Sequence, residues 1–424
     1  MLLCLGMLLL GFAPALVEPE STLTLESALA RALASNPALA SARLQVEAAA
    51  GSAVQSRSWP NPELTFSAEE FPPTSQGFSA SRKLAGLAQT VPFPVKTLLD
   101  WQAGRRQVGA ASWEHQAART ELVRRVKSAF YRVLAMNRKL DATGEIVSVA
   151  QALADAAIKR VRTGVAPDQE RLRAEIERER VELELSAVRR DMAEAEQALL
   201  SLLGASGRRL GPVLGKLDDS LGPAPPDSGL EPALARHPLV RAARAKCERA
   251  GLTLWREALE PLPDVTFEVS GNMPITGPET LLTLSASLPL PILDWGRGRR
   301  REARALAAIA RHDLAATERQ LREDLAVAQA RYRAAHEQTA AYRDRILPWA
   351  EEALRLVRVG FEAGKFGFVD VLDAQRVLTE TRLASYDSLL ELNIAQADLE
   401  ALLGESGPHT ATPTMRTNPE GKHQ

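Results

Sequence analysis

The same unit is written twice in this chain. Asn36-Pro37 is followed by Trp59-Pro60-Asn61-Pro62-Glu63-Leu64-Thr65-Phe66. About two hundred positions later, His237-Pro238 is followed by Glu260-Pro261-Leu262-Pro263-Asp264-Val265-Thr266-Phe267. Pro37, Pro60, Pro62, Thr65 and Phe66 recur at one constant offset, without a gap. Leu202-Leu203-Gly204 returns as Leu402-Leu403-Gly404, and Gly164 as Gly364. Each half reads as helix, short β-hairpin and very long helical hairpin. A length of 424 residues by itself suggests two or three domains. Two copies of one mixed unit suggest a symmetric object instead.

Composition narrows the class. Lys+Arg number 52 and Asp+Glu 53, so no basic field speaks for nucleic acid. Aromatics are only 5% while Ala, Leu, Arg and Glu abound, the composition of long helices. Met1 to Val17 is apolar and carries Ala13-Pro14-Ala15, which reads as a secretory signal peptide, residues 1–15. As a membrane anchor the segment is too short to span. Of the two cysteines, Cys4 falls inside that signal and Cys247 remains alone, so no intramolecular disulfide or Cys-based metal site is expected. No later run is apolar enough for a transmembrane helix. An exported chain of this kind is periplasmic, secreted or a membrane β-barrel.

Helix signals run over 24–58, with Thr22 or Thr24 able to cap, until Pro60 and Pro62 force extended backbone. Alternation follows: Leu64, Phe66 and Ala68 share one face, and Glu63, Thr65, Ser67 and Glu69 the other. A polar loop at 72–81 leads to a second strand at 84–91, giving a hairpin over 62–92. In the second half Val265, Phe267 and Val269 alternate with Thr266, Glu268 and Ser270. A loop at 271–278 leads to Leu282, Leu284, Ala286 and Leu288 on a strand closing the hairpin 263–289. Two hairpins have no core of their own. Either several protomers close one barrel with apolar faces to lipid, or the hairpins decorate a helical body.

After each hairpin comes a matching phrase, Leu99-Asp100-Trp101 with Arg105-Arg106 and Leu293-Asp294-Trp295 with Arg299-Arg300. Asp100 and Asp294 are placed to act as helix N-caps. Trp59, Trp101 and Trp295 sit at hairpin–helix junctions, where a membrane interface would favour them and where a domain joint would equally bury them. Arg297 and Arg299 to Arg301 would reach lipid phosphates or simply face solvent. Long helices are expected at 100–162 and 294–361, each about 90–100 Å at 1.5 Å per residue.

Two apolar seams step alternately by three and four. One is Val181, Leu185, Val188, Met192, Ala195, Leu199 and Leu202. The other is Leu321, Leu325, Ala328, Tyr332, Ala335, Thr339, Tyr342, Ile346, Trp349, Ala353 and Leu356. That period calls for supercoiled neighbours, and Pro348 for a local kink. The long helices end in turns at 163–168 and 363–367, with Gly164 and Gly364 as left-handed caps and Asp168 capping the returning helix. The resulting plan is signal 1–15, first repeat 16–204, Gly/Pro-rich linker 205–232, second repeat 233–404 and a polar tail 405–424 expected to be disordered.

The run Phe361-Glu362-Ala363-Gly364-Lys365-Phe366-Gly367-Phe368-Val369-Asp370-Val371-Leu372-Asp373-Ala374-Gln375 resembles the second helical tip of the TolC-like outer membrane efflux family. The first tip, with Glu170, and Ile346-Leu347-Pro348 resemble its heavy-metal cation-efflux branch. The likeness extends over both hairpins and both junctions. It implies a mostly α fold with a small β part. Three chains would pool four strands each into a twelve-stranded outer-membrane barrel above a periplasmic tunnel of coiled-coil helices. The resemblance further implies a passive duct serving a periplasmic adaptor and an inner-membrane RND pump, without cofactor. Asp370 and Asp373, at i and i+3, would then form acidic rings at the periplasmic mouth. On residues alone they are a solvated pair near a helix start. Phe366 stands where relatives carry an Arg that locks the mouth, so closure would rest on Phe361, Phe366 or Glu170. Thr163, Gly164, Val165, Ala363, Gly364 and Lys365 would meet the adaptor.

No catalytic set is present. The histidines are single, without metal-ligand spacing, and there is no phosphate loop or nucleophile elbow. Within the channel reading, metal export leads over drug efflux and protein secretion. The competing class is a periplasmic coiled-coil scaffold.

Overall fold

The computed structural model describes residues 22–69, 82–205, 210–219, 222, 230–272 and 282–404. The expected signal segment, the hairpin loop 72–81, residues 273–278 of the second loop, linker residues 206–209, 220–221 and 223–229, and the tail lie outside these residues. The elements in order are α1 (Leu25–Ser35), α2 (Pro37–Gln55), β1 (Glu63–Glu69), β2 (Arg82–Val91), α3 (Pro94–Arg162), α4 (Asp168–Leu202), α5 (Leu230–Arg236) and α6 (Pro238–Ala258). There follow β3 (Val265–Asn272), β4 (Leu282–Ser287), α7 (Arg297–Ala341), a π-helical turn (Tyr342–Ile346), α8 (Leu347–Glu362) and α9 (Phe368–Leu403). No described helix is long and apolar enough to cross a membrane.

Helix starts follow proline and capping chemistry. Thr24 and Ser27 cap α1 reciprocally: Thr24 Oγ1 accepts from the Ser27 N–H at 3.3 Å and Ser27 Oγ from the Thr24 N–H at 3.0 Å. The expected single helix at 24–58 is broken at Asn36-Pro37. There Asn36 Oδ1 accepts from the N–H groups of Ala38 and Leu39 and Pro37 takes the first helical position. The three expected aspartate caps are corrected. Proline again sets the start of α3, at Pro94, so Asp100 sits inside the helix, 3.5 Å from Arg256. Burial raises the Asp100 pKa, and Arg256 partly offsets that. Pro167 is the N-cap of α4, without a side-chain bond, and Asp168 pairs with Arg171 at 2.7 Å. Asp294 accepts from the Gly296 N–H at 2.8 Å, three residues before α7 starts, so it too lies outside the cap position.

The chain forms two compact units, each drawing segments from both halves of the repeat. Among the described residues the first contains 22–34, 125–205, 210–219 and 337–394. In it α9 lies against α3 and α4 along Ile146, Ala150, Val181, Leu372 and Thr379. On α9, Leu378 packs with Ala350 and Leu354 of α8. Small seam residues let the helices approach closely: Ala157 is 0% and Ala154 and Ala174 are 1% exposed. The linker contributes too. Leu23 and Val213 form a parallel bridge, and a Cβ on Gly215 would stand 3.0 Å from Leu134 and 3.2 Å from Phe130.

The α4 seam is buried or half-buried throughout. The long seam from α7 into α8 is not. Leu321, Leu325, Ala328, Tyr332, Ala335 and Thr339 are buried, but Trp349 is 68% and Leu356 52% exposed. The π turn between them accounts for the switch. The Leu347 N–H bonds the Tyr342 carbonyl, five residues back, so one residue is inserted into the helix. Downstream the buried positions move on by one, to Ala350 and Leu354. The sequence suggests a kink at Pro348; the structure has this wider turn, which makes room where proline lacks an N–H and its ring crowds the carbonyl four back.

Among the described residues the second unit contains 35–69, 82–124, 222, 230–272, 282–336 and 395–404. Its sheet has the order β1-β2-β3-β4, antiparallel throughout, so the hairpin of each half joins the other through β2 and β3. Register sorts the side chains by chemistry. Leu64, Leu87, Val269 and Leu284 stand in one cross-strand row, as do Phe66, Ala85, Gly271 and Leu282. The alternate rows are Thr65, Gly86, Ser270 and Thr283, and Glu63, Ala88, Glu268 and Ser285. Glu268 accepts from the Thr65 hydroxyl at 2.9 Å, and the Thr90 and Thr266 hydroxyls are 2.8 Å apart. Gly86 is required here, since a Cβ would meet Thr65, Ser270 and Glu268 within 3.0 Å.

His237 is the N-cap of α6, its Nδ1 accepting from the Leu239 N–H at 3.3 Å, where the first repeat uses Asn36. Burial lowers the His237 pKa below its ordinary 6.5, and a hydrogen bond to the Ala401 backbone partly offsets that. A lowered folded pKa means that the unfolded chain binds the proton more readily. The stabilisation is full above about pH 6.5 and falls as the pH drops through the folded value. His237→Asn keeps the cap and should flatten the loss of melting temperature between pH 7.5 and 5.5, read by circular dichroism.

Candidate functional site

The two tips are built alike. After α3 the Gly164 N–H bonds the Val161 carbonyl and the Val165 N–H the Arg160 carbonyl, both at 3.0 Å. After α8 the Gly364 N–H bonds the Phe361 carbonyl at 3.0 Å and the Lys365 N–H the Gly360 carbonyl at 2.8 Å. Gly164 has φ 72° and Gly364 φ 70°, so a side chain there would be strained. Thr163, Gly164, Val165, Ala363, Gly364 and Lys365 are all exposed.

Behind the tips an apolar cluster of Ala154, Ala157, Ala174 and Phe368 takes in Leu153, Phe361 and Leu372. Phe361 meets Phe368 with ring centroids 6.2 Å apart. The arginine of this site stands at 160. Arg160 lies 2.9 Å from Glu170 across the first tip, and its guanidinium sits 5.3 Å over the Phe361 ring of the second. One cation thus joins both tips. Sequence reasoning left the Glu170 partner unassigned. The available signal was hairpin arithmetic, because 160 and 170 flank the turn symmetrically. Phe366 is not in the cluster with Phe361. Its ring folds back over Gly360, where a Cβ would stand 2.2 Å from it, and the residue is 47% exposed.

Asp370 and Asp373 are both exposed on the first turns of α9. Asp370 Oδ2 accepts from the Gly367 N–H at 2.7 Å, closing the helix start. Asp373 lies 3.6 Å from Arg376 with 63% of its side chain exposed. Among the described residues no three His, Cys, Asp or Glu side chains are grouped to hold a metal ion.

In the second unit the apolar sheet rows face outward: Leu64 is 66%, Phe66 69%, Leu282 75% and Leu284 74% exposed. Trp59 is 58% and Trp295 51% exposed, while Trp101 is half-buried. A further junction tryptophan, Trp255, is 68% exposed; it lies inside the α6 stretch and carries no repeat signal.

Residues 28–205 and 229–405 match the family model of the outer membrane efflux proteins. The chain is 27% identical over 387 residues, 91% of each chain, to the cobalt-zinc-cadmium resistance protein CzcC of Cupriavidus metallidurans. It shares its fold with the structure of CusC, at TM-score 0.79 and 19% identity, covering 89% of this chain and 91% of that one. The open-state MtrE outer membrane channel of Neisseria gonorrhoeae matches at TM-score 0.77 and 19% identity, over 90% of this chain and 88% of that one.

Proposed function

Because the chain belongs to the outer membrane efflux protein family, we propose that it is the outer-membrane exit duct of a tripartite RND-type exporter of heavy-metal cations. The sheet carries this reading: one face exposes Leu, Phe and Val across all four strands and the other is Thr, Ser and Glu. Such a sheet suits lipid outside and water inside. Strands β1 and β4 have no outer neighbour among the described residues. Three chains would close those edges into twelve strands.

The first unit supports the same assembly. Its outer helices α4 and α8 carry apolar rows that no described residue covers, with Leu172, Ile176 and Leu183 on one and Trp349 and Leu356 on the other. In a ring, α4 of one copy would meet α8 of the next in the periplasm. The exposed tips 163–165 and 363–365 would meet the adaptor that links the duct to the inner-membrane pump. Asp370 and Asp373 would line the mouth. Arg160, ion-paired with Glu170 and lying over the Phe361 ring, would hold it closed in place of an arginine at 366. The metal substrate follows from CzcC, a cobalt-zinc-cadmium resistance protein by name.

The protein should fractionate with the outer membrane as a trimer that dissociates only on heating. Deleting its gene should sensitise cells to cobalt, zinc or cadmium. A soluble periplasmic dimer would overturn the duct. Unchanged metal tolerance with lost drug tolerance would move the substrate to drugs.

A further inference from the structure

The phrase that follows each hairpin is used differently in the two halves. Arg299 is held by Glu260 at 3.2 Å and by Asp294 at 3.7 Å. Its counterpart Arg105 has no carboxylate at ion-pair distance among the described residues, and its guanidinium lies 5.1 Å over the Trp101 ring. Stacking fixes the plane of the guanidinium and leaves its N–H donors open. Beside it runs a cleft of about 640 Å³ between α3 and α6, walled by Trp101 and Trp255 and continued by Arg105, Arg106 and Glu248. Arg106 and Glu248 neutralise each other at 3.0 Å. The cleft therefore presents one uncompensated positive charge.

Position along the helices sets the order of these groups. Helix α3 follows β2 directly, and α6 ends shortly before β3. Trp101 lies about 10 Å along α3, and Arg105 a turn, about 6 Å, further from the sheet. Moving away from the strands one meets the apolar sheet face, then two tryptophans, then two arginines. Hydrocarbon, glycerol and phosphate follow in that order at a bilayer interface. We infer that this cleft holds the headgroup of a membrane phospholipid. Its phosphodiester sits on Arg105 and Arg106, its glycerol between Trp101 and Trp255, and its acyl chains run toward the sheet. One phosphodiester matches the single free charge, and Arg105 can bind it with two parallel donors. This inference rests on the outer-membrane reading.

Native mass spectrometry of the full chain, released from phosphatidylglycerol nanodiscs, tests it. The wild type should retain phosphatidylglycerol adducts. Arg105→Gln with Arg106→Gln, and separately Trp255→Ala, should lower retention about tenfold without altering heat-resistant oligomers. Inorganic phosphate should not displace the lipid. Equal retention in wild type and variants would overturn the site. Displacement by phosphate, with Trp255→Ala silent, would also overturn it and leave a plain anion site. Failure of the wild type to enter nanodiscs would reject the membrane reading itself, whereas entry with variant-insensitive lipid rejects only the cleft.

Discussion

Replacing Asp370 and Asp373 together by asparagine should bring the cation preference of the reconstituted channel close to none, while its oligomeric state and melting temperature stay near those of the wild type. Asparagine is chosen because Asp370 already has a structural task, accepting the Gly367 N–H at 2.7 Å. Asparagine keeps an acceptor there, whereas alanine would also remove the cap, at a cost of about 1 kcal/mol. The two carboxylates lie about 4.5 Å apart along the helix axis. That is less than the Debye length of roughly 8–10 Å at 0.1–0.15 M salt, so the rings proposed for a trimer would act as one field there. At 1 M salt the length drops to about 3 Å, and the wild type itself should lose most of its preference. Ion permeability ratios from reversal potentials, measured at both salt levels, check both statements. Unchanged selectivity in the double variant would dismiss the acidic mouth and leave Asp370 as a cap alone.

The largest expected loss of stability comes from Lys96→Ala. Only 6% of the Lys96 side chain is exposed, and its Nζ lies 3.3 Å from Asp264 and 3.9 Å from Glu260. Asp264 also accepts the Phe93 N–H at 2.9 Å, tying the start of α3 to the approach of β3. Glu260 has further cations, Arg256 at 2.6 Å and Arg299 at 3.2 Å, so it stays compensated without Lys96. The loss falls on Asp264, whose side chain is 38% exposed and therefore partly rescued by water. Breaking a fully buried pair costs about 3–5 kcal/mol, and with this screening about 2–3 kcal/mol is expected. Lys96→Met keeps the stem and removes the charge. Combined with Asp264→Asn it should cost clearly less than the sum of the single changes in thermal denaturation, because no uncompensated carboxylate remains. Additive losses would show that packing, not the ion pair, holds the joint.

Much of this architecture was legible because it is periodic. Alternation put Leu64 and Phe66 opposite Thr65 and Ser67, and the register carries that division across four strands. Steps of three and four found the α4 seam and the α7 seam as far as Thr339. Glycine marked both tips, since a left-handed φ at 164 and 364 leaves little choice of residue. What escaped depends on contacts between distant segments. Arg160 joins Glu170 to Phe361, two hundred positions away, and nothing local announces it. Asp100 and Asp168 look like caps by type, but Pro94 and Pro167 had already fixed the helix starts. Phe366 looks like a partner for Phe361, yet the bare backbone of Gly360 is the nearer surface.

The π turn at Tyr342–Ile346 gives the folded chain a reading frame. One inserted residue turns everything beyond it by about 100° about the helix axis. Before the turn one set of apolar side chains is buried; after it a second set, Trp349 and Leu356, is left outside as free surface. The inserted residue is thus a punctuation mark separating two messages, one addressed to the chain itself and one, in the proposed ring, to its neighbour. Deleting a single residue there would change no core side chain, yet it would act as a frameshift in space, turning the whole of α8 by about 100° and bringing Trp349, Ala353 and Leu356 into line with the α7 seam.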